Sequence, residues 1–389
     1  MASAAVSSWA PGTVARLRIL LTSHYGLPHL GGIETVIDAL ARRLTARGHE
    51  VTHLASDARR AHDSAVGDPP RPYRVVRVPA FNALEERLDV PYPLFTPRLV
   101  PVLRREVRRA DVVHAHGFLY LPTPMALGFA RDSARVLTEH VGTVGWSSAP
   151  LRAAERAAVA TIGRTSARLA QALVALNDKV EAELRRLAPG RQVERIPNGV
   201  DSEAFRPAAP GERELLRRQL GWDERPRALF VGRLVEKKGV GLAIATAARA
   251  GVELVLVGPG RPPGPLPSCV EVLGPQPPER VRELYRASDA FLLPSRGEGF
   301  PVTAQEALAS GLAVVLCHDQ AYAGYLAGAG PAARLAEMDE HALAVALRQA
   351  LDEDPAAVRE AGREHALAAF SWERAARAHE ALYERLLSP

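Results

Sequence analysis

The chain has 389 residues, 47% of them apolar and 5% aromatic, with no run of eighteen apolar residues and only two cysteines, Cys269 and Cys317. That length asks for two or three domains with full cores, and the apolar pattern excludes a membrane-crossing helix. The cysteine usage excludes a disulfide framework or cysteine-held metal and fits a reducing cytoplasm.

Residues 1–200 carry 27 basic and 18 acidic side chains, a net +9, while residues 201–389 carry 22 and 26, a net −4. A basic front half and an acidic back half suggest different partners for each. Nucleic acid is not among them, because the few aromatic residues do not interleave with the basic ones.

Taken in order, residues 1–15 are Ala/Ser-rich, without a basic region leading into a long apolar core, and read as a loose tail. A short apolar strand at 17–22 leads through Gly31-Gly32 into a helix over 33–47, which Gly48 ends. Val- and Leu-rich strands are expected at 51–55, 74–78, 111–114, 136–139 and 173–176, alternating with helices as in βα units. Ile196-Pro197-Asn198-Gly199 is a turn signal, and Pro207 and Pro210 suit a linker. A second series follows, with strands at 228–231, 252–257, 270–273, 290–293 and 313–316. Helices at 339–353 and 355–369 and a last helix to about 387 close the chain. The expected organisation is a tail 1–15, an N-terminal domain 16–198, a C-terminal domain 199–370 and a terminal helix 371–389. Both domains are α/β with doubly wound parallel sheets, which bind ligands outside the carboxyl ends of their strands.

The chemistry-bearing residues fall just after strand ends. Val231-Gly232-Arg233-Leu234-Val235-Glu236-Lys237-Lys238-Gly239 puts cations at a strand-to-helix turn. Only three of the 49 basic residues are lysine, and two of them stand here. Arg233 and Lys238, beside the N–H groups of a helix start, make a cradle for a diphosphate. They would also stabilise the charge of a departing phosphate. Read alone, the same residues are a solvated charged loop.

Downstream, Glu298-Gly299-Phe300-Pro301-Val302-Thr303-Ala304-Gln305-Glu306 spaces two carboxylates eight positions apart. Glu298 sits in a loop where Gly299 allows close backbone approach, and Glu306 lies in a helix that Pro301 starts. Carboxylates accept from vicinal hydroxyls, so Glu306 suits a ribose and Glu298 a sugar, with the amides around Gly299, Phe300 and Val302 facing the same ligand. Pro301 has no N–H to give. The plain alternatives are a helix-surface Glu306 and a turn-residue Glu298.

Gly31-Gly32-Ile33-Glu34 would let a ligand lie against the backbone at Gly32, or would simply make a tight turn. His140, in Thr138-Glu139-His140, follows a strand and could bond a sugar hydroxyl or the departing oxygen. His114 and His116 read as packing residues. No H-E-x-x-H and no Walker A motif is present, so Arg233, Lys238 and helix dipoles are expected to meet the diphosphate charge, with no metal and no other cofactor.

These segments resemble glycosyltransferase family 4, the retaining GT-B enzymes. The resemblance rests on Gly-Gly-x-Glu at 31–34, Asp111-Val112-Val113-His114-Ala115-His116 and Ile196-Pro197-Asn198-Gly199-Val200-Asp201. It extends through Val231-Gly232-Arg233-Leu234 with 236–239, Val257-Gly258-Pro259-Gly260 and Ser288-Asp289-Ala290-Phe291-Leu292-Leu293-Pro294-Ser295 to the E-x7-E segment with Glu306-Ala307-Leu308-Ala309-Ser310-Gly311. It implies two Rossmann-like domains facing across a cleft, with the last helix crossing back onto the first. It implies a nucleotide-sugar donor on the C-terminal domain and a hydroxyl acceptor on the N-terminal one. Arg233 and Lys238 would take the diphosphate, Glu306 the ribose, and Glu298 and the following amides the sugar. His140 would stand beside that sugar and Gly32 near the phosphates. The family is thought to retain configuration by front-face attack, with the leaving phosphate as base. Cys317-His318-Asp319-Gln320-Ala321-Tyr322-Ala323-Gly324-Tyr325 departs from the family's Gly-rich turn and acidic helix.

The expected activity is thus transfer of a hexose-type sugar from a nucleotide-diphospho-sugar to a lipid-linked, glycan or small-molecule hydroxyl. A nucleotide-sugar 2-epimerase or a non-catalytic sugar-nucleotide-binding protein are the competing readings. Residues 98–109 set Arg98, Arg104, Arg105, Arg108 and Arg109 beside Leu99, Leu103 and Val107 on one helical face. That stripe suits either peripheral contact with an anionic membrane or packing on a core with a solvated back.

Overall fold

In the computed structural model, residues 16–29, 31–58, 70–88, 90–143, 148–295 and 300–388 are described. Glu298 and Gly299 therefore lie outside the described residues. In the first half, the strands are β1 (Arg18–Thr22), β2 (Glu50–Ser56), β3 (Arg74–Val78), β4 (Ala80–Phe81), β5 (Leu94–Phe95), β6 (Val112–His116), β7 (Ala134–Glu139), β8 (Ala172–Ala175) and β9 (Gln192–Arg195). The second half holds β10 (Arg227–Val231), β11 (Glu253–Val257), β12 (Val270–Gly274), β13 (Ala290–Leu293), β14 (Ala313–Cys317) and β15 (Ala333–Ala336).

Two sheets form, in the orders β3-β2-β1-β6-β7-β8-β9 and β12-β11-β10-β13-β14-β15, besides a small antiparallel pair, β4-β5. All pairings within the two large sheets are parallel. The central strands are apolar runs buried on both faces, such as Ala290–Leu293 and Ala313–Cys317, because helices cover each side of a parallel sheet. In each sheet the strand order reverses beside the first strand of that half: between β1 and β6, and between β10 and β13. Such switch points are where doubly wound sheets open a crevice.

The N-terminal sheet carries a core on each face. One includes Leu20, Leu54, Leu103, Phe118 and Leu173, and the other Ile19, Leu21, Ile37 and Val174. The second of these also contains Trp372, Ala375, Ala376, Leu382 and Tyr383, so the last helix, Trp372–Leu387, packs on the N-terminal half. Polar ties reinforce it: His49 Nε2 lies 2.8 Å from Glu380 Oε1, Arg47 reaches Glu373 at 2.7 Å, and His114 Nδ1 lies 2.7 Å from the Tyr383 hydroxyl. The C-terminal sheet has a core running from Val200 to Phe370.

The chain passes between the halves twice, and the two crossings touch. Val200 N–H donates to the Phe370 carbonyl at 2.7 Å, and Val200 bridges Ser371 in parallel. A Cβ on Gly199 would sit 2.4 Å from the Trp372 nitrogen, so only glycine lets the strands lie this close.

The arginine-rich segment is a helix, Leu99–Val107, but its apolar stripe does not face outward. Leu99, Leu103 and Val107 lie in the N-terminal core. Glu106, on the same helix, is buried and takes Arg74 and Arg105. The apolar residues offered to a lipid surface are thus spent on the sheet, and the exposed face is guanidinium. Strands β9 and β15 stand where no strand was expected; both run along a sheet edge.

Candidate functional site

At the C-terminal switch point two turns are locked together by glycine. Leaving β10, the chain makes a 3₁₀ turn, Glu236–Lys238, before the helix Val240–Ala250. Gly239 caps that helix at φ +71°, and a Cβ there would lie 2.0 Å from the Pro294 carbonyl. The backbone after β10 therefore touches the backbone after β13. Glycine meets the left-handed φ and the contact at once. A second clasp joins the β10 and β11 exits: Leu234 N–H donates to the Pro259 carbonyl at 2.8 Å. Gly258, at φ +135°, would bring a Cβ within 2.0 Å of the Gly232 carbonyl. Arg233 and Lys238, both half-buried, ride on this clasped turn, with the first N–H groups of the following helix beside them.

The segment after β13 re-enters the described residues at Phe300. That ring is buried, stacked near Tyr325 with centroids 5.9 Å apart and against Phe370 at 4.9 Å. Its side chain is core rather than ligand-facing. Pro301, in extended conformation, caps the helix Val302–Ala309. Val302 is half-buried against the core that holds Trp372. Glu306 stands four residues into this helix, its Oε2 3.0 Å from the hydroxyl of Tyr285, which projects from the helix Pro278–Ala287. Burial pushes the Glu306 carboxyl up to about 7, against the pull of the Tyr285 hydroxyl and of Arg282.

The opposite wall is built differently. Glu139, the last residue of β7, is buried and accepts four backbone N–H groups. Phe118 reaches it at 2.8 Å, His140 at 3.0 Å, and Val141 and Gly142 both at 3.1 Å. Burial pushes its carboxyl up while these donors pull it down. Glu183 takes the next amide, Thr143, at 3.0 Å. Two carboxylates thus hold the exits of β6 and β7 in one shape. His140, held there, lies with Nε2 3.0 Å from His116 Nδ1. Desolvation pushes His140 down to about 3, so its ring is neutral and acts as a hydrogen-bonding group, not a cation. His116 is also held well below the usual histidine range by burial.

Of the paired glycines, Gly31 lies against the Glu34 carboxylate: a Cβ there would meet Glu34 Oε2 at 2.1 Å and push that side chain aside. Gly32, at the start of the helix Gly32–Ala46, has open space around its Cβ position. Behind it His24 stacks on Tyr120 at 3.6 Å between centroids, Tyr25 on His29 at 3.8 Å, and His29 Nε2 lies 3.1 Å from Glu85. His114 is occupied at both nitrogens by Tyr383 and Thr138, each at 2.7 Å.

Among the described residues no group of three or more His, Cys, Asp or Glu is arranged to hold a metal ion. The sequence reading passed over a D-x-D triplet, Asp352-Glu353-Asp354, and the structure makes it structural. Asp352 ends a helix, Glu353 takes Arg334, and Asp354 caps the next helix through the Ala356 N–H at 3.1 Å.

Sequence reasoning named Arg233, Lys238, His140, Gly32 and Glu306 but passed over Tyr285 and Glu139. Glu139 had a visible signal, a carboxylate at a strand end next to His140. Tyr285 had none, because its partner lies 21 positions away.

Two family models match in order: Glycosyltransferase Family 4 over residues 30–204 and Glycosyl transferases group 1 over residues 225–353. A GDP-mannose-dependent alpha-mannosyltransferase of Mycolicibacterium smegmatis is 30% identical, covering 77% of this chain and 79% of its own. A D-inositol 3-phosphate glycosyltransferase of Acidothermus cellulolyticus is 29% identical over 81% and 77%. Among solved structures, sucrose-phosphate synthase from Thermosynechococcus elongatus aligns with a TM-score of 0.75 at 23% identity, covering 95% of this chain and 99% of that one. Anabaena HepE in complex with UDP and glucose gives 0.71 at 18%, covering 95% and 100%. Two doubly wound halves, two ordered family matches and relatives spanning three quarters of the sequence agree, and the chain belongs to glycosyltransferase family 4, a glycosyltransferase of GT-B fold.

Proposed function

We propose that this glycosyltransferase takes a hexose-type sugar from a nucleotide-diphospho-sugar and places it on an acceptor hydroxyl with retention of configuration, using no protein-held metal. One observation carries the reading: Gly239 seats the Arg233–Lys238 turn directly on the backbone leaving β13, at the switch point of the C-terminal sheet. A diphosphate lying there would meet two cations and a helix start, with Glu306 deeper along the same wall for the ribose. Glu298 and the Gly299 amide are assigned to the sugar by their place in the sequence. HepE binds UDP and glucose, and the mycobacterial relative uses GDP-mannose by its name; both support a nucleotide-sugar donor.

In the transfer, the bond from the anomeric carbon to the phosphate oxygen breaks as the bond to the acceptor oxygen forms on the same face. The acceptor's proton passes to the leaving phosphate. Arg233 and Lys238 stabilise the charge that develops there, and neutral His140 offers a hydrogen bond across the cleft. The acceptor approaches from the N-terminal half, whose outer arginines support peripheral contact with an anionic surface.

Thermal shift without added metal tests the donor assignment, using GDP-mannose first and then UDP-, ADP- and TDP-sugars, on wild type and Lys238→Ala. A ligand that binds only the folded state raises the melting temperature. One nucleotide class should do so for wild type and lose the effect in Lys238→Ala. A shift that survives Lys238→Ala undiminished would remove the diphosphate cradle from the account.

A further inference from the structure

Tyr285 is fully buried, and its hydroxyl lies 3.0 Å from Glu306 Oε2 and 3.1 Å from the Thr303 carbonyl. A phenol has one proton to give, whereas a carbonyl and a carboxylate can only accept. With Glu306 ionised, two acceptors compete for that single proton and one is left unmatched. With Glu306 protonated, the bonds run as one chain: the carboxyl donates to Tyr285, and Tyr285 donates to Thr303. The fully buried Tyr285 hydroxyl then has both a donor and an acceptor partner.

The surroundings offer little to hold an anion instead. Arg282, on the same helix as Tyr285, attracts Glu306 but also lies over the Phe205 ring at 5.9 Å. From the helix Pro355–Ala369, Arg363 is taken by the Phe205 and Ala309 carbonyls, and the stem of Arg359 lies against Gly311. The flanking strands β13 and β14 bring only Cys317, which is buried.

We propose that Tyr285 is a positioning residue for Glu306, that the empty site holds one proton shared along Glu306, Tyr285 and Thr303, and that a vicinal diol of the bound nucleotide displaces it. The proposal rests on the reading of Glu306 as the group that meets the donor's ribose. On binding, the ribose hydroxyls donate to Glu306, its proton leaves to solvent, and Tyr285 turns its own proton from Thr303 to the carboxylate. The carboxyl's upward displacement to about 7 by burial puts this exchange in the neutral range. Nucleotide affinity then rises with pH up to about 7, by at most tenfold per unit.

Calorimetry tests this with the tightest of GDP, UDP and ADP and its 2′,3′-dideoxy counterpart, at pH 6.5 in two buffers of different ionisation enthalpy. The two ligands carry the same phosphates, so any difference in protons released belongs to the diol. Wild type should release an extra fraction of a proton with the ribonucleotide. Glu306→Gln, which cannot ionise, should erase that extra release. Tyr285→Phe should weaken the ribonucleotide three- to tenfold and leave the dideoxy ligand unchanged. Equal proton counts for both ligands, with Tyr285→Phe binding as wild type does, would overturn the shared proton while leaving the diol reading intact. Equal affinities of the two ligands for wild type would overturn the diol reading itself.

Discussion

The two walls of the cleft reach a fixed shape by opposite means. The C-terminal wall is backbone against backbone: Gly239 on Pro294, Gly258 on Gly232, Leu234 on Pro259. The N-terminal wall is side chain against backbone and side chain against side chain, with Glu139 and Glu183 holding five amides and buried histidines bonding to one another. The contrast extends to charge. C-terminal arginines are largely paired, as Arg213 and Arg217 are with Asp289 and Arg249 with Glu340. On the outer N-terminal face, Arg104, Arg108 and Arg131 rim an open groove of about 450 Å³, and none of the three has an ion pair among the described residues. A glycine clasp fixes the backbone whatever the pH, which suits the diphosphate grip proposed for that wall. A wall of titratable side chains can be retuned by substitution, which suits the acceptor side proposed for it, and is exposed to acid.

That exposure gives the largest expected effect. Burial holds His53 and His140 down to about 3 and His379 to about 4, and His24, His114 and His116 are held well below their usual range. A histidine depressed in the folded state adds stability that is complete above its unfolded value near 6.5 and lost as pH falls toward the folded value. Each should cost about 1.4 kcal/mol per pH unit below 6.5. Chemical denaturation at pH 7.5, 6.0 and 5.0 should show stability falling steeply across that range. A flat profile would break the account of the N-terminal wall.

Next in size is Gly239→Ala. The left-handed φ and the contact with Pro294 together should cost roughly 2–3 kcal/mol. The Arg233–Lys238 turn must shift to relieve them, so the donor KM should rise at least tenfold with the acceptor KM little changed. Equal changes in both would erase the separation between the walls. The smallest effect concerns the three groove arginines. Each should add about 1 kcal/mol to binding of phosphatidylglycerol vesicles at low salt. Sedimentation of wild type against the Arg104→Ser, Arg108→Ser, Arg131→Ser triple variant measures it, and no sedimentation of wild type would end the case for a membrane contact.

The same division governs what the sequence disclosed. Strands 74–78 and 290–293 were expected at their observed bounds because compact apolar or alternating runs between turn signals are local information. Gln192–Arg195 and Ala333–Ala336 were missed because short edge strands owe their existence to the neighbour they pair with. Gly239 was legible only as the residue that opens the next helix; the clasp itself was not, because its partner Pro294 lies far along the chain. Nor was the histidine wall, as it draws together His53, His114, His116, His140 and His379 from across the chain. The helix at Leu99–Val107 was legible, but which face met the core was a tertiary matter. Glu306 was named for its spacing, while the Tyr285 hydroxyl that it meets came from another helix.

The paired crossings at Val200 and Ser371 mean that the two halves are interleaved rather than strung in series. The N-terminal half is completed by a helix that the chain reaches only after building the whole C-terminal half. During synthesis its core must wait for Trp372 and Tyr383; until then the helix Gly32–Ala46 covers only part of the face that holds Ile19 and Val174. A truncation after residue 195 would keep every strand of the first sheet and still leave part of that face bare. For this molecule the first half's core is complete only once the last helix is in place.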